Sequence, residues 1–283
     1  MKLIIGILIV IGSVLGGYLP HGDPKVLNQP LEFLIIVGAA IGAFVITNPG
    51  SVIKGSLAGV KALFKGSVPY SKDNYVDLLS FMFVTFKLMK TKGMLEIEGH
   101  IEDPHNSDVF NQFPSFAHNH HAVDFYCDNI RLLTMGIDNY YLMDDLMTAE
   151  LDVHHEEGHN IGHALTLFGD SLPALGIVAA VLGVIVTMGS ISEPPEILGG
   201  LIGAALVGTF AGILLSYGIF SPIGAAVSQY NELEGKYNEV VKAGILAHVQ
   251  GNAPAISVEF ARKSIPVSVK PSFKELEEAL EGL

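Results

Sequence analysis

Four uncharged apolar stretches constrain this chain more than any other feature: roughly Leu3 to Leu19, Phe33 to Thr47, Ser171 to Ser192 and Ile197 to Phe220. A helix that crosses the hydrocarbon core of a bilayer takes about 17–25 residues, so the first, third and fourth stretches qualify outright. The second reaches that length only if Leu31 and Glu32 sit at the interface, where a carboxylate stays hydrated. Only 16% of the 283 residues are charged, against about 25% in an ordinary soluble domain. The first stretch also has features of a signal peptide, with Lys2 ahead of it and small residues at Ser13, Gly16 and Gly17. Its apolar run is longer than the roughly 7–15 residues of a signal core and no A-x-A-like site follows, so a membrane helix is the expectation.

Cations near helix ends stay in the cytoplasm. Lys54, Lys61, Lys65, Lys72, Lys87, Lys90 and Lys92 follow the second stretch, whereas the turn from Tyr18 to Pro30 holds only Lys25 and the turn from Glu193 to Glu196 holds none. The two turns are therefore expected outside, and both termini and the long middle segment inside. Tryptophan is absent, so interfacial anchoring falls to tyrosines such as Tyr18 and Tyr217. The net charge of −13 excludes a nucleic-acid partner, because phosphate contacts need clustered Lys and Arg and none occurs between Arg131 and Lys236.

The middle segment reads as helical: dense apolar residues between Tyr75 and Met94, then candidates from Val123 to Met135 and from Asn139 to His155. Ser272 and Glu275 form a capping box that opens a short acidic helix through Leu280. The expected fold is an all-α integral membrane protein with four transmembrane helices. A helical cytoplasmic domain lies between helices 2 and 3 and a cytoplasmic tail closes the chain. Its divisions are 1–48 (helices 1 and 2), 49–170 (cytoplasmic domain), 171–222 (helices 3 and 4) and 223–283 (C-terminal region).

Small residues recur at helical spacing: Gly38 and Gly42, Gly176 and Ala180, Ala179 and Gly183, and Ala204, Gly208 and Gly212. Such spacing lets backbones approach closely where lipid supplies no hydrophobic drive. The third and fourth stretches carry no Asp, Glu, Lys, Arg or His, only hydroxyls such as Ser171, Thr187, Thr209, Ser216 and Tyr217. An ion path across a bilayer normally uses a buried ionisable group, so a partner must bring the carboxylate if this chain conducts ions. His155, Glu156 and His159 match the H-E-x-x-H pattern of zinc hydrolases and His163 extends the stripe. Gly158 weakens that helix and no further carboxylate ligand is evident, so no metal or other cofactor is assigned. His118, His120 and His121 read as a solvated cluster, and the lone Cys127 as a buried apolar residue that cannot form an internal disulfide.

Long segments carry a family resemblance: GDSLPALGIVAAVLGV (Gly169 to Val184), LVGTFAGILLSYGIFSP (Leu206 to Pro222), VEFARKSIPVSVKPSFKELEEAL (Val258 to Leu280) and KGMLEIEGHIEDP (Lys92 to Pro104). They resemble MotA, the stator subunit family of the bacterial flagellar motor, related more distantly to TolQ and ExbB. The resemblance implies an inner-membrane homo-oligomer, a pentamer, around two MotB-like one-helix subunits whose membrane aspartate carries the ion. It implies that Pro173, at the start of the third membrane helix, and Pro222, at the end of the fourth, couple ion flow to movement. Asp170 is either a proton acceptor at the cytoplasmic mouth or a plain helix N-cap. Lys90, where the family usually has arginine, and Glu98 correspond to charges that engage the rotor's switch protein. Ala180 stands where sodium-driven relatives tend to have a hydroxyl and Thr209 supplies one side-chain oxygen per subunit, so proton coupling is expected. The alternatives are a TolQ-like or ExbB-like energiser of envelope transport and, as a different class, a zinc-dependent membrane protease.

Overall fold

Residues 2–65 and 70–283 are described by the computed structural model, and they form helices joined by short turns, with no strand among them. In chain order the helices are α1 (Lys2–Tyr18), α2 (Pro24–Leu27), α3 (Pro30–Thr47), α4 (Gly50–Lys65), α5 (Lys72–Lys92), α6 (Met94–Glu102), α7 (Asp108–Asn111) and α8 (Pro114–Ala117). They continue as α9 (His120–Thr134), α10 (Tyr140–Gly189), α11 (Pro195–Leu215), a π turn (Ser216–Phe220), α12 (Ser221–Val249), α13 (Pro254–Lys263) and α14 (Phe273–Leu280). Two compact units result: Met1–Ser67 with Glu157–Tyr230, and Val68–Glu156 with Asn231–Leu283.

The first unit contains the apolar stretches. Pro24, Pro30 and Pro195 open their helices at positions whose N–H would have no intrahelical partner. Three helical spans are long and apolar enough to cross a membrane: Pro24–Thr47, Tyr140–Gly189 and Pro195–Val249. Only 11%, 22% and 28% of their most apolar windows are buried within the chain, so the rest must face lipid or other subunits. The expected ranking of the first two stretches is reversed. The second span lengthens to 24 residues because α2 continues it, while α1, at 17, is the short one. The third stretch does not begin a helix at Ser171 either, because α10 joins it without interruption to the expected helix at Asn139 to His155.

Inside this unit Ile36, Ala40, Leu172, Ala179 and Ala211 form a small core. Phe168 bridges Phe44 and Phe220, with ring centroids 5.8 and 5.0 Å away. Gly38 and Gly42 have almost nothing near them, so their small-residue face is unused within the chain.

The second unit is an ordinary packed core. Helix α5 is buried around most of its circumference, by Tyr75, Leu78, Leu79, Phe81, Met82, Phe86 and Met89, as suits a helix with neighbours on every side. Phe81 lies 4.3 Å from Phe116, 4.7 Å from Phe110 and 4.9 Å from Tyr126, centroid to centroid. Tyr126 donates its hydroxyl to Thr85 Oγ1 at 2.6 Å, so the one polar tip in that cluster is satisfied. A second aromatic group stacks Tyr70 on Tyr237 at 4.1 Å, with Tyr75 at 5.3 Å from Tyr237.

The capping box at the tail is present. The Ser272 N–H donates to Glu275 Oε2 at 2.6 Å and the Glu275 N–H donates to Ser272 Oγ at 3.2 Å. The Ser272 backbone N–H, and then the Lys72 ammonium at 2.9 Å, hold the Glu275 carboxyl down at about 2 against an ordinary 4.5. A depressed carboxyl stabilises the fold above its ordinary value and loses that contribution as pH falls towards the folded-state value. The docking of α14 on α5 is therefore expected to persist above pH 4.5 and to loosen progressively as the pH falls towards 2, and amide exchange at Ser272 and Leu276 against pH measures it.

Candidate functional site

Glycine sets how closely the two long membrane helices approach. A methyl group added at Gly212 would stand 2.6 Å from the Leu172 carbonyl oxygen and 3.0 Å from Gly176 Cα. One at Gly176 would stand 2.8 Å from the Gly208 carbonyl oxygen and 3.4 Å from Thr209 Cα, and one at Gly183 would meet Ala205 Cβ at 2.8 Å. The membrane part of α10 therefore lies backbone to backbone on α11. This crossing sets the Ala180 backbone against Gly208, the residue before Thr209: an added methyl at Gly208 would be 3.3 Å from the Ala180 nitrogen. Both residues are half-buried, on the rim of the contact.

The prolines are not at helix ends. Pro173 lies inside α10, where its ring removes the bond to the Gly169 carbonyl. Pro222 does not close a helix, because α12 carries on through it to Val249. The chain accommodates it with the π turn just upstream, in which the Ser221 N–H bonds the Ser216 carbonyl five residues back. The wider turn shifts the hydrogen-bond register before the residue that has no donor. The two proline regions meet. Ser221, beside Pro222, donates its hydroxyl to Asp170 Oδ1 at 3.3 Å, and a methyl at Gly169 would collide with Ser221. Asp170 cannot be an N-cap, since α10 begins at Tyr140; it is an exposed carboxylate on the helix flank.

The sequence placed Glu32 at the interface as a hydrated carboxylate and assigned it no role. It lies in the first turn of α3, and instead of reaching outward its Oε2 is shielded and has no hydrogen-bond partner among the described residues. The methyl imagined at Gly208 would be 3.2 Å from that oxygen and 3.2 Å from Ala179 Cβ. An apolar stretch that starts one residue after a glutamate gives no sign of whether the side chain faces water or a neighbouring glycine.

In the second unit Lys90 ends α5 and Glu98 lies on α6, both exposed. Gly93 alone separates the two helices, at φ 90° and ψ 175°, a region essentially reserved for glycine. It turns the chain so that both charges project from consecutive helices. One turn before Lys90 on α5, Phe86 stacks on the His248 ring at 4.5 Å, and the His248 Nδ1 is buried without a hydrogen-bond partner among the described residues. Burial, and then the nearby Lys90 charge, hold that imidazole below its usual value. Sequence gave no hint of this contact, because His248 lies far along the chain from Phe86.

The H-E-x-x-H residues His155, Glu156 and His159 are exposed, and among the described residues no three His, Cys, Asp or Glu side chains are placed to hold a metal ion. His120 lies against His105 at 5.6 Å, and Cys127 is buried.

Residues 4–93 match the family described as Motility protein A N-terminal, and residues 123–255 match the MotA/TolQ/ExbB proton channel family. Motility protein A of Escherichia coli strain K12 is 42% identical over 98% of this chain and 94% of its own. The chain belongs to the Motility protein A family. Two solved structures share its fold. One is C. jejuni MotAB, with TM-score 0.77 at 19% identity over 96% of this chain and 98% of that one. The other is the flagellar MotAB stator complex from Bacillus subtilis, with TM-score 0.71 at 24% identity over 98% of each.

Replacing Gly212 with valine is expected to force α10 and α11 apart at a cost of about 1–3 kcal/mol, read as a lower melting temperature of the detergent-solubilised protein. Gly93→Ala is expected to cost about 1–3 kcal/mol through backbone strain alone, seen in the same measurement.

Proposed function

We propose that this chain is the ion-channel subunit of a bacterial flagellar stator, and that it turns proton flow into torque on the rotor. The observation that carries this reading is the α10–α11 pair. It presents Pro173, Ala180 and Thr209 along close-packed helices, with Pro222 following in α12, and the apolar stretches of the pair hold no Asp, Glu, Lys, Arg or His. A path built this way needs a carboxylate from a second chain. A MotB-like one-helix subunit carrying a membrane aspartate fits, and the Motility protein A relatives and the MotAB structural neighbours support that partner.

In this reading α1, the α2–α3 span, α10 and α11 cross the inner membrane, with both termini in the cytoplasm, and five copies surround two partner helices. The second unit lies in the cytoplasm and meets the rotor's switch protein through Lys90 and Glu98. Protonation of the partner carboxylate changes its fit against Thr209 and Ala180. Release of the proton towards Asp170 lets the helices around Pro173 and Pro222 relax, and the ring steps. The contact between Asp170 and Ser221 ties the two proline regions together at the cytoplasmic side, so a shift at one is felt at the other. Lysine at position 90 keeps the charge and gives up the bidentate fork of arginine. Exposed charges of this kind favour fast and repeatable engagement over tight binding.

Reversing the sign of Lys90 or of Glu98 is expected to lower torque while leaving the chain at normal level in the membrane; unchanged torque in the double reversal would remove both residues from the rotor contact. Swimming speed is expected to follow the proton-motive force, and a speed that follows external sodium instead would overturn proton coupling.

A further inference from the structure

Glu32 has no task in the mechanism above. Yet its Oε2 sits against Gly208 at the α10–α11 crossing, one residue from Thr209 and beside the Ala180 backbone. Gly208 makes the room, since a methyl there would press on that oxygen at 3.2 Å. An ionised carboxylate with no donor is expensive in a membrane and marks a functional site by default. The elements packed around it bring little charge: Glu196 in the first turn of α11, Lys25 on α2 with Asp23 capping it, and Asp170 on α10. None of these forms an ion pair with Glu32 among the described residues.

We propose that Glu32 is a proton-exchange site belonging to this chain, at the level of Ala180 and Thr209, that takes protons from periplasmic water and passes them to the carboxylate of the one-helix partner. This rests on the stator reading. A hydronium ion gives its proton to the Glu32 carboxylate, leaving water and a neutral carboxyl. The partner's carboxylate then takes that proton and Glu32 returns to the anion. One such group per subunit gives a ring of acids around the partner helices, so each step meets a loaded donor.

The test uses the chain together with its partner subunit, in cells without another stator and in proteoliposomes with a trapped pH dye. Glu32→Gln keeps size and hydrogen-bonding capacity and removes titration; Glu32→Asp keeps titration on a shorter arm. With normal membrane levels, the Gln variant is expected to lose proton flux and torque several-fold and to lose the response of flux to external pH. The Asp variant is expected to retain much of the flux, with a shifted pH response. A Gln variant equal to the parent chain in flux and in pH response would overturn the proposal while leaving the stator reading intact. Parallel loss of membrane level in both variants would assign Glu32 to folding and also overturn it. A parent chain that conducts no protons with its partner would overturn the stator reading and this site with it.

Discussion

The approach of α10 to α11 is the contact on which the membrane unit depends. In lipid no hydrophobic drive pulls two helices together, and what remains is close packing and backbone contact. Gly176, Gly183, Gly208 and Gly212 supply it by leaving out the side chains that would hold the helices apart. The rest of the unit is arranged around this pair. Ile36 and Ala40 of α3 seal one side and Phe168 and Phe220 the end nearest the π turn. Ala180 and Thr209 are presented at the rim. A surface of small residues also stays smooth, which is what a partner helix moving past it requires.

The two prolines show how a helix can be interrupted and remain a helix. Each removes one backbone donor, and a span ending there would have been the simplest outcome. Helices α10 and α12 nevertheless run on through them, because flanking turns, packed helices and the π turn at Ser216–Phe220 accommodate the lost bonds. Missing hydrogen bonds make such places softer than regular helix, and these two lie against one another through Ser221 and Asp170. The two soft places therefore share one contact.

Much of this was legible in the sequence, for identifiable reasons. Apolar runs, the small-residue spacing of the third and fourth stretches and the Ser272–Glu275 box follow from local rules, and each has its counterpart in the structure, whereas Gly38 and Gly42 pack against almost nothing within the chain. Helix boundaries near Pro173 and Pro222 were not legible, because a proline signals a lost bond without saying whether neighbours compensate it. The ranking of the first two spans was misjudged for a related reason: α2 lengthens the second only once Asp23 caps it and Pro24 opens it. The contacts of Glu32, expected only as an interfacial carboxylate, and of His248 were not legible because the partners lie far along the chain, Gly208 for one and Phe86 for the other. The motif that looked most chemical, His155 to His159, proved to be an exposed stripe.

Glu32 changes what the missing carboxylate means. The absence of charge from the third and fourth apolar stretches is what leads to the proposal that another chain carries the transported ion. A second carboxylate is nevertheless at hand, contributed from the side by α3 and admitted by a single glycine. Its position is hard to explain by stability alone. A glutamate in the first turn of a helix gains from the helix dipole whether or not its oxygen is buried, whereas shielding that oxygen without a donor is unfavourable. Glu32 is half-buried, and shielding its Oε2 at this spot runs against the local energetics; an ionisable side chain so placed in a membrane unit is by default a candidate for handling an ion. Gly208 then has two tasks. It lets α11 meet α10, and it leaves an acid group within the same crossing, so that packing and proton handling depend on one missing side chain.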